Sequence, residues 1–101
     1  METTTKERIR NRIKSLFERT ANILPSHEEK KIELDSCDDF NLNGTDIMVT
    51  DITFDGVHYI KDFRASKPEE YLLNWEEILN LNESYLQTIY DNLIGTIRNE
   101  Y

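Results

Sequence analysis

The tight-turn signal Asp55–Gly56 constrains the fold of this chain more than any other feature. It separates two segments, residues 46–54 and 57–63, in which apolar and polar side chains alternate as they do in half-buried strands. An Asp-Gly pair between such segments is typical of a two-residue β-hairpin turn. We therefore predict an antiparallel hairpin over residues 46–63.

A two-residue turn also fixes which side chains share a face of the hairpin. We expect one face to pack on helices, and it carries Met48, Thr50, Ile52, Phe54, Val57, Tyr59, Lys61 and Phe63. The other face is mixed, and its apolar area favours cover by a partner or a second copy. We predict it as the interaction surface, formed by Ile47, Val49, Asp51, Thr53, His58, Ile60 and Asp62.

The first quarter of the chain is predicted as an amphipathic helix over residues 5–24. Its apolar side chains recur at helical spacing. Thr4 and Glu7 stand three residues apart, as in a capping box, and mark its start. Pro25 is incompatible with further helix and marks its end.

The last third of the chain is predicted to hold two helices. A capping box from Ser66 to Glu69 predicts the first of them. The spacing also allows a short strand over residues 71–73, followed by a single turn capped by Asn74, and sequence alone leaves this choice open. Asn82 is the predicted cap of the final helix.

The segment between the first helix and the hairpin is predicted to form one short strand and a loop. Alternation around Ile32 favours a strand over residues 30–36. Asn43–Gly44 is a second tight-turn signal, but a full hairpin there would place three carboxylates on the apolar face. We therefore prefer a loop over residues 37–45.

These elements predict a single domain over residues 1–101. Its class is α+β: an N-terminal helix, an antiparallel three-stranded sheet and two C-terminal helices packed on one face, forming a two-layer sandwich.

The charge of the chain is strongly uneven. The sequence has 12 basic and 20 acidic residues, for a net charge of −8. Residues 1–24 hold six basic and three acidic side chains, so the net −8 combines a +3 helix with a −11 remainder. A single Cys37 and an N-terminus without an apolar core favour a reducing compartment, and we expect a bacterial cytoplasmic protein. No apolar run is long enough to span a membrane.

One loop matches the opening of a calcium-binding loop. Asp39, Asn41 and Asn43 alternate and are followed by Gly44, as in D-x-[DN]-x-[DN]-G. The match then fails, because Thr50 stands where the bidentate glutamate is required. Whether residues 37–45 bind a cation stays open, and we assign no metal site and no cofactor.

Two groupings have the residue types of catalytic sites. Asp51 and His58 are diagonal neighbours on the outer hairpin face, and a carboxylate beside an imidazole is the composition of an acid–base pair. No third group is predicted to converge on them, and Cys37 matches no thiol-enzyme pattern. We therefore predict no catalytic residues, no enzyme activity and no small-molecule substrate.

The basic side chains of the first helix form a second candidate surface. They include Arg8, Arg10, Arg12 and Arg19. Nucleic-acid binding is disfavoured because the remainder of the chain repels phosphate. We predict a small non-catalytic domain that binds another protein or itself, without membrane partners. The alternative is an acidic inhibitor or nucleic-acid mimic, of the immunity or anti-nuclease type, that occupies a basic cleft.

Overall fold

The computed structural model describes residues 3–23, 30–34, 38–61, 64 and 66–100. It is an α+β structure with an N-terminal helix, an antiparallel sheet and a C-terminal helix. In chain order the elements are α1 (Thr5–Ile23), β1 (Lys31–Glu33), β2 (Phe40–Leu42), β3 (Thr45–Thr53), β4 (Gly56–Lys61), β5 (Glu70–Asn74), a 3₁₀ turn (Glu77–Asn80) and α2 (Glu83–Glu100).

Helix α1 forms where the sequence predicts it. The Thr4 hydroxyl accepts a hydrogen bond from the Glu7 amide at 3.2 Å, which satisfies one of the free amides of the first turn. Ile9, Ile13 and Phe17 are buried along one side of the helix. Pro25 lies outside the described residues, so its role in ending the helix is not seen.

The sheet has five strands rather than the predicted three. Its order is β1-β3-β4-β5, with β2 also paired to β3, and every pairing is antiparallel. The first added strand, β2, follows from a turn at Asn43–Gly44, whose φ angles of 52° and 85° suit these two residue types. The preference for a loop over residues 37–45 was therefore wrong for residues 40–42. The pairing begins at Phe40, and Asp38 and Asp39 before it are exposed.

The second added strand is β5, which replaces the first predicted C-terminal helix. Residues 70–74 pair with β4, and the following residues form a turn and a single 3₁₀ turn. The Asn74 side-chain oxygen accepts hydrogen bonds from the amides of Glu76 and Glu77 at 3.0 and 2.8 Å. The strand-and-turn alternative is thus confirmed, and α2 is the one C-terminal helix among the described residues.

The hairpin is present, but its turn lies one residue earlier than predicted. Thr53 pairs with Gly56, so the turn residues are Phe54 and Asp55. Gly56 is needed because its φ is 142° and because a Cβ there would collide with the Leu73 carbonyl oxygen of β5. The sequence thus correctly predicted a glycine-dependent conformation near the turn. Gly56 is not itself a turn residue, however, and the close approach of β5 is a second reason why no side chain is tolerated there.

A β-bulge at Thr50 changes which residues face the core. Val49 pairs with Tyr59 and Asp51 pairs with His58, so Thr50 is the extra residue between them. Ile47 and Val49 therefore lie on the same face as Ile52, not on the opposite one. The covered face of the sheet consists of the buried side chains Ile32, Ile47, Val49, Ile52, Val57, Tyr59 and Leu73.

The covered face and the helices form one core. Helix α2 contributes Leu86, Ile89 and Leu93, all fully buried, and α1 packs alongside α2. Leu81, just before α2, is also buried. Among the described residues, neither helix is apolar enough over a sufficient length to cross a bilayer.

Candidate functional site

The opposite face of the sheet, called the open face below, is the candidate site. Paired residues point to the same side of a sheet, so the register identifies its members. None of its apolar side chains is fully buried, in contrast to the covered face. The open face is formed by Lys31, Glu33, Met48, Asp51, Thr53, His58, Ile60, Glu70 and Leu72.

Asp51 is the most deeply buried polar residue of the open face, at 4% exposure. Its Oδ1 accepts a hydrogen bond from the Thr50 hydroxyl at 2.8 Å, and its Oδ2 lies 3.0 Å from His58 Nδ1. The bulge at Thr50 places Asp51 directly opposite His58, so the diagonal relation expected from a regular hairpin was wrong. The bulge thus brings a buried carboxylate and an imidazole together.

Glu70 completes a cluster of three side chains on this face. One donor atom each from Asp51, His58 and Glu70 lies within 4.8 Å of the others. Strand β5 positions Glu70, which pairs with Ile60 beside His58. Reading residues 66–79 as a helix concealed this third group. The residue types of 70–74 do not alternate between polar and apolar, so the only sequence indication of this strand was the alternative interpretation of residues 71–73 as a short strand.

An open cleft of about 390 Å³ adjoins this cluster. His58 and Glu70 form part of its wall, Lys30 and Lys31 line it at the start of β1, and Thr53 lines it at the end of β3. Solvent therefore reaches two of the three clustered side chains. This arrangement can bind a ligand at the imidazole and the exposed carboxylate.

Apolar side chains form a small patch beside the cluster. Met48 and Ile60 pair directly across β3 and β4 and are partly buried. Leu72 pairs with His58 on the other side and is 42% exposed. The open face thus combines an apolar patch with exposed carboxylates of Glu33 and Glu70.

The structure divides the predicted interaction residues into three groups. Asp51, Thr53, His58 and Ile60 lie on the open face as expected. Two others are buried in the core and are not available to a partner, namely Ile47 and Val49. The seventh, Asp62, lies outside the described residues.

The basic residues on one side of α1 contact the segment around Trp75 and the 3₁₀ turn. Lys6 Nζ donates to the Leu79 carbonyl at 3.2 Å, and the Arg10 guanidinium donates to the Trp75 carbonyl at 2.8 Å and lies 3.3 Å from the Glu76 carboxylate. The Lys14 ammonium lies 5.9 Å from the centre of the Trp75 ring. The Arg10 side chain is only 12% exposed, so it is part of the fold rather than a free recognition group.

The remaining arginines of α1 form an exposed stripe. Arg8, Arg12 and Arg19 are separated by four and seven residues, which places them within one arc of the helix. All three are exposed, and none has an ion-pair partner among the residues that the structure describes. The arginine stripe ends at Ile23, whose side chain is 80% exposed.

The loop that begins like a calcium-binding loop is a turn between two strands. Asn41 Oδ1 accepts a hydrogen bond from the Gly44 amide at 3.0 Å, which closes the turn. Its amide nitrogen lies 3.5 Å from the Asp46 carboxylate. Asn41 therefore stabilises the turn between β2 and β3. Cys37 lies outside the described residues.

A tyrosine on the covered face has a perturbed titration. Burial, with a smaller contribution from the negative charge of Glu77, raises the pKa of the Tyr59 hydroxyl above its ordinary value of 10.0. Its ring stacks on Tyr71 with centroids 5.5 Å apart. The perturbation thus follows from packing in the core, away from the Asp51–His58–Glu70 cluster.

Comparison with known proteins assigns no family to this chain, because no family model, curated protein or solved structure matches it. Its function is therefore argued from its own surfaces.

Proposed function

We propose that this chain is a non-catalytic protein-binding domain whose partner is a second copy of itself. In the proposed contact, the arginine stripe of one copy docks on the open face of the next. The observation that carries the proposal is that these two exposed surfaces of one chain have opposite charge. The single cysteine fits a reducing compartment, and we propose the cytoplasm as the place of action.

The charges of the two surfaces are complementary. The open face carries the exposed carboxylates of Glu33 and Glu70 and the buried carboxylate of Asp51. Two lysines lie beside them: Lys31, whose Nζ is 3.5 Å from the Glu33 carboxylate, and Lys30, which lines the adjoining cleft, so the negative charges outnumber the positive ones by one. The arginine stripe carries three guanidinium groups without partners among the described residues. Opposite potentials on facing surfaces accelerate association and fix orientation.

The dimensions of the two surfaces also agree. Arg8 and Arg19 are eleven residues apart in α1, which corresponds to about 16 Å along the helix axis. The strands from β1 to β5 span three inter-strand spacings, or about 14 Å. Exposed Ile23 at the end of the stripe supplies an apolar group for the patch of Met48, Ile60 and Leu72.

This contact joins two different surfaces and therefore runs head to tail. A symmetric contact between two open faces would place the same carboxylates opposite one another, which is unfavourable. A head-to-tail contact forms a ring if its rotation closes and a filament if it does not. The proposal therefore predicts a mass distribution that grows with concentration rather than a fixed dimer.

Light scattering after size exclusion tests the proposal. We expect the average mass to rise with protein concentration and to fall with added salt. The salt effect arises because the Debye length shrinks from about 10 Å at about 0.1 M to about 3 Å at about 1 M ionic strength. A chelator in every sample removes contributions from bridging metal ions. The mass of one chain at every concentration would overturn the proposal.

Two surface variants determine whether the contact is head to tail. The double variant Arg8→Glu, Arg12→Glu reverses the charge of the arginine stripe. The variant Leu72→Arg places a positive charge in the apolar patch of the open face. We expect each variant alone to remain monomeric and their mixture to form dimers, because each supplies the surface that the other lacks. Self-association of the stripe variant would show instead that two open faces meet.

The matched control changes the same number of charges elsewhere. Lys67 and Arg98 are exposed basic residues outside the stripe. The double variant Lys67→Glu, Arg98→Glu has the same net charge as the stripe variant, and we expect its association to weaken far less. An equal loss in both variants would indicate a dependence on net charge alone.

The acidic inhibitor remains a second candidate with weaker support. It draws on four acidic doublets in the sequence. Glu76 of one doublet is already paired with Arg10, and the doublet Glu28–Glu29 lies outside the described residues. The other two doublets, Asp38–Asp39 and Glu69–Glu70, are exposed. A constant single-chain mass in the experiments above would favour this alternative.

A further inference from the structure

We infer that Asp51, His58 and Glu70 form a binding site for a divalent transition metal of the Zn²⁺ type on the open face. Glu70 joins the other two residues only through the pairing of β5 with β4. The inference does not rest on the proposed self-association, but both involve Asp51 and Glu70, so a bound cation would weaken the attraction of the arginine stripe to the open face. Its basis is the geometry of the three donors, the charge around them and the cleft beside them.

Two of the three donor atoms lie close to the separation that a single ion requires. Asp51 Oδ2 and His58 Nδ1 lie 3.0 Å apart. Tetrahedral Zn²⁺ with bonds of about 2.0–2.1 Å holds neighbouring donors roughly 3.3 Å apart. The whole group fits within 4.8 Å, and Glu70 is an exposed side chain that can rotate to close the remaining distance.

The local charge favours a cation at this position. Asp51 is nearly fully buried, and its contacts are the Thr50 hydroxyl and the His58 ring. Neither Asp51 nor Glu70 pairs with a lysine or arginine among the described residues. Because a buried charge is costly without a counter-charge, a divalent ion here would stabilise the buried carboxylate of Asp51, and Glu70 would add a second negative charge from the solvent side.

The cleft allows the coordination of the ion to be completed. Three protein ligands leave at least one position open in a tetrahedral site, and the cleft reaches His58 and Glu70 from solvent. Water or a donor group of a ligand can occupy that position.

The donor types select the class of metal. One imidazole with two carboxylates suits Zn²⁺, whereas Mg²⁺ and Ca²⁺ prefer oxygen ligands throughout. We therefore expect Zn²⁺ to bind and Mg²⁺ or Ca²⁺ to compete poorly.

Isothermal titration of the chelator-treated full chain with Zn²⁺ is the direct test. We expect one ion per chain in the wild type. The Kd should rise at least about tenfold in Glu70→Gln, and binding should disappear in His58→Gln, since even outer-shell changes cost about 10–100-fold in affinity. Glu70 is exposed, so Glu70→Gln remains informative if His58→Gln impairs folding.

Three controls distinguish this site from other zinc-binding groups of the chain. His27→Gln and Cys37→Ser remove the second histidine and the single cysteine, and Asp46→Asn removes an exposed carboxylate from the same strand as Asp51. We expect all three to bind Zn²⁺ as the wild type does. Absence of Zn²⁺ binding in the wild type, or its loss in His27→Gln or Cys37→Ser but not in Glu70→Gln, would overturn the inference.

Discussion

The two faces of the sheet differ in chemistry although the same strands form them. The covered face is a continuous set of buried apolar side chains, from Ile32 on β1 to Leu73 on β5. The open face holds a buried carboxylate, an imidazole and exposed acids around a small apolar patch. We therefore expect substitutions on the covered face to lower the stability of the fold. Substitutions on the open face should affect binding more than stability. Each prediction below tests that division.

The largest difference is expected between two isoleucines of the same hairpin. Ile52 is fully buried on the covered face, whereas Ile60 is partly buried on the open face. Ile52→Ala should lower the free energy of unfolding by about 3 kcal/mol, because it removes buried methyl groups and leaves a cavity. Ile60→Ala should lower it by about 1 kcal/mol or less. Urea denaturation of both variants measures the difference.

The comparison must be made at a protein concentration low enough to keep the chain monomeric. If both alanine variants then lose the same free energy, the open face is covered within a single chain. The division between the two faces would then be wrong.

A smaller effect is expected from the buried carboxylate of the open face. Asp51→Ala removes the partner of the His58 ring and one of the two acceptors of the Thr50 hydroxyl, which keeps the His58 carbonyl at 3.3 Å, and it should cost about 2 kcal/mol. Asp46→Ala on the same strand is the control, because Asp46 is exposed and should change stability by less than about 0.5 kcal/mol. Thermal and urea unfolding in the presence of chelator measure both. Equal costs would show that Asp51 is not a structural anchor of this face.

The sequence predicts those elements that depend on contacts between residues close in the chain better than those that depend on contacts between distant residues. Helices α1 and α2 were predictable because caps and helical spacing are local signals, as at Thr4 and Glu7. The hairpin was located correctly, but the faces of Ile47, Met48 and Val49, which precede the bulge, were exchanged. A side chain at position 56 would collide with the Leu73 carbonyl oxygen of β5, and this strand lies well beyond the turn in sequence.

The candidate site was less predictable than the fold for the same physical reason. The bulge at Thr50 sets Asp51 opposite His58 and has no local sequence signal in this chain. Glu70 joins them only through the pairing of β5 with β4, which local spacing did not distinguish from a helix. A loop was preferred to strand β2 because a longer hairpin would place carboxylates on the apolar face, but β2 extends only from Phe40 to Leu42, and Asp38 and Asp39 are exposed.

The smallest expected effect concerns the pH dependence contributed by the covered face. Burial and the charge of Glu77 raise the pKa of Tyr59 in the folded chain above 10.0. The folded chain therefore holds this proton more tightly than the unfolded chain does. The resulting contribution to stability is complete below pH 10 and is lost as pH rises through the folded pKa.

Tyr59→Phe keeps the ring packed against Tyr71 and removes the titrating hydroxyl. We expect its stability to fall less than that of the wild type between about pH 9 and about pH 11, measured by urea denaturation across that range. Glu77→Gln removes one of the two causes of the shift and should give an intermediate slope. Parallel curves for wild type and Tyr59→Phe would mean that Tyr59 titrates alike in both states. The edge of the covered face at β4 and β5 would then be open to water, and the two faces would differ less than their burial indicates.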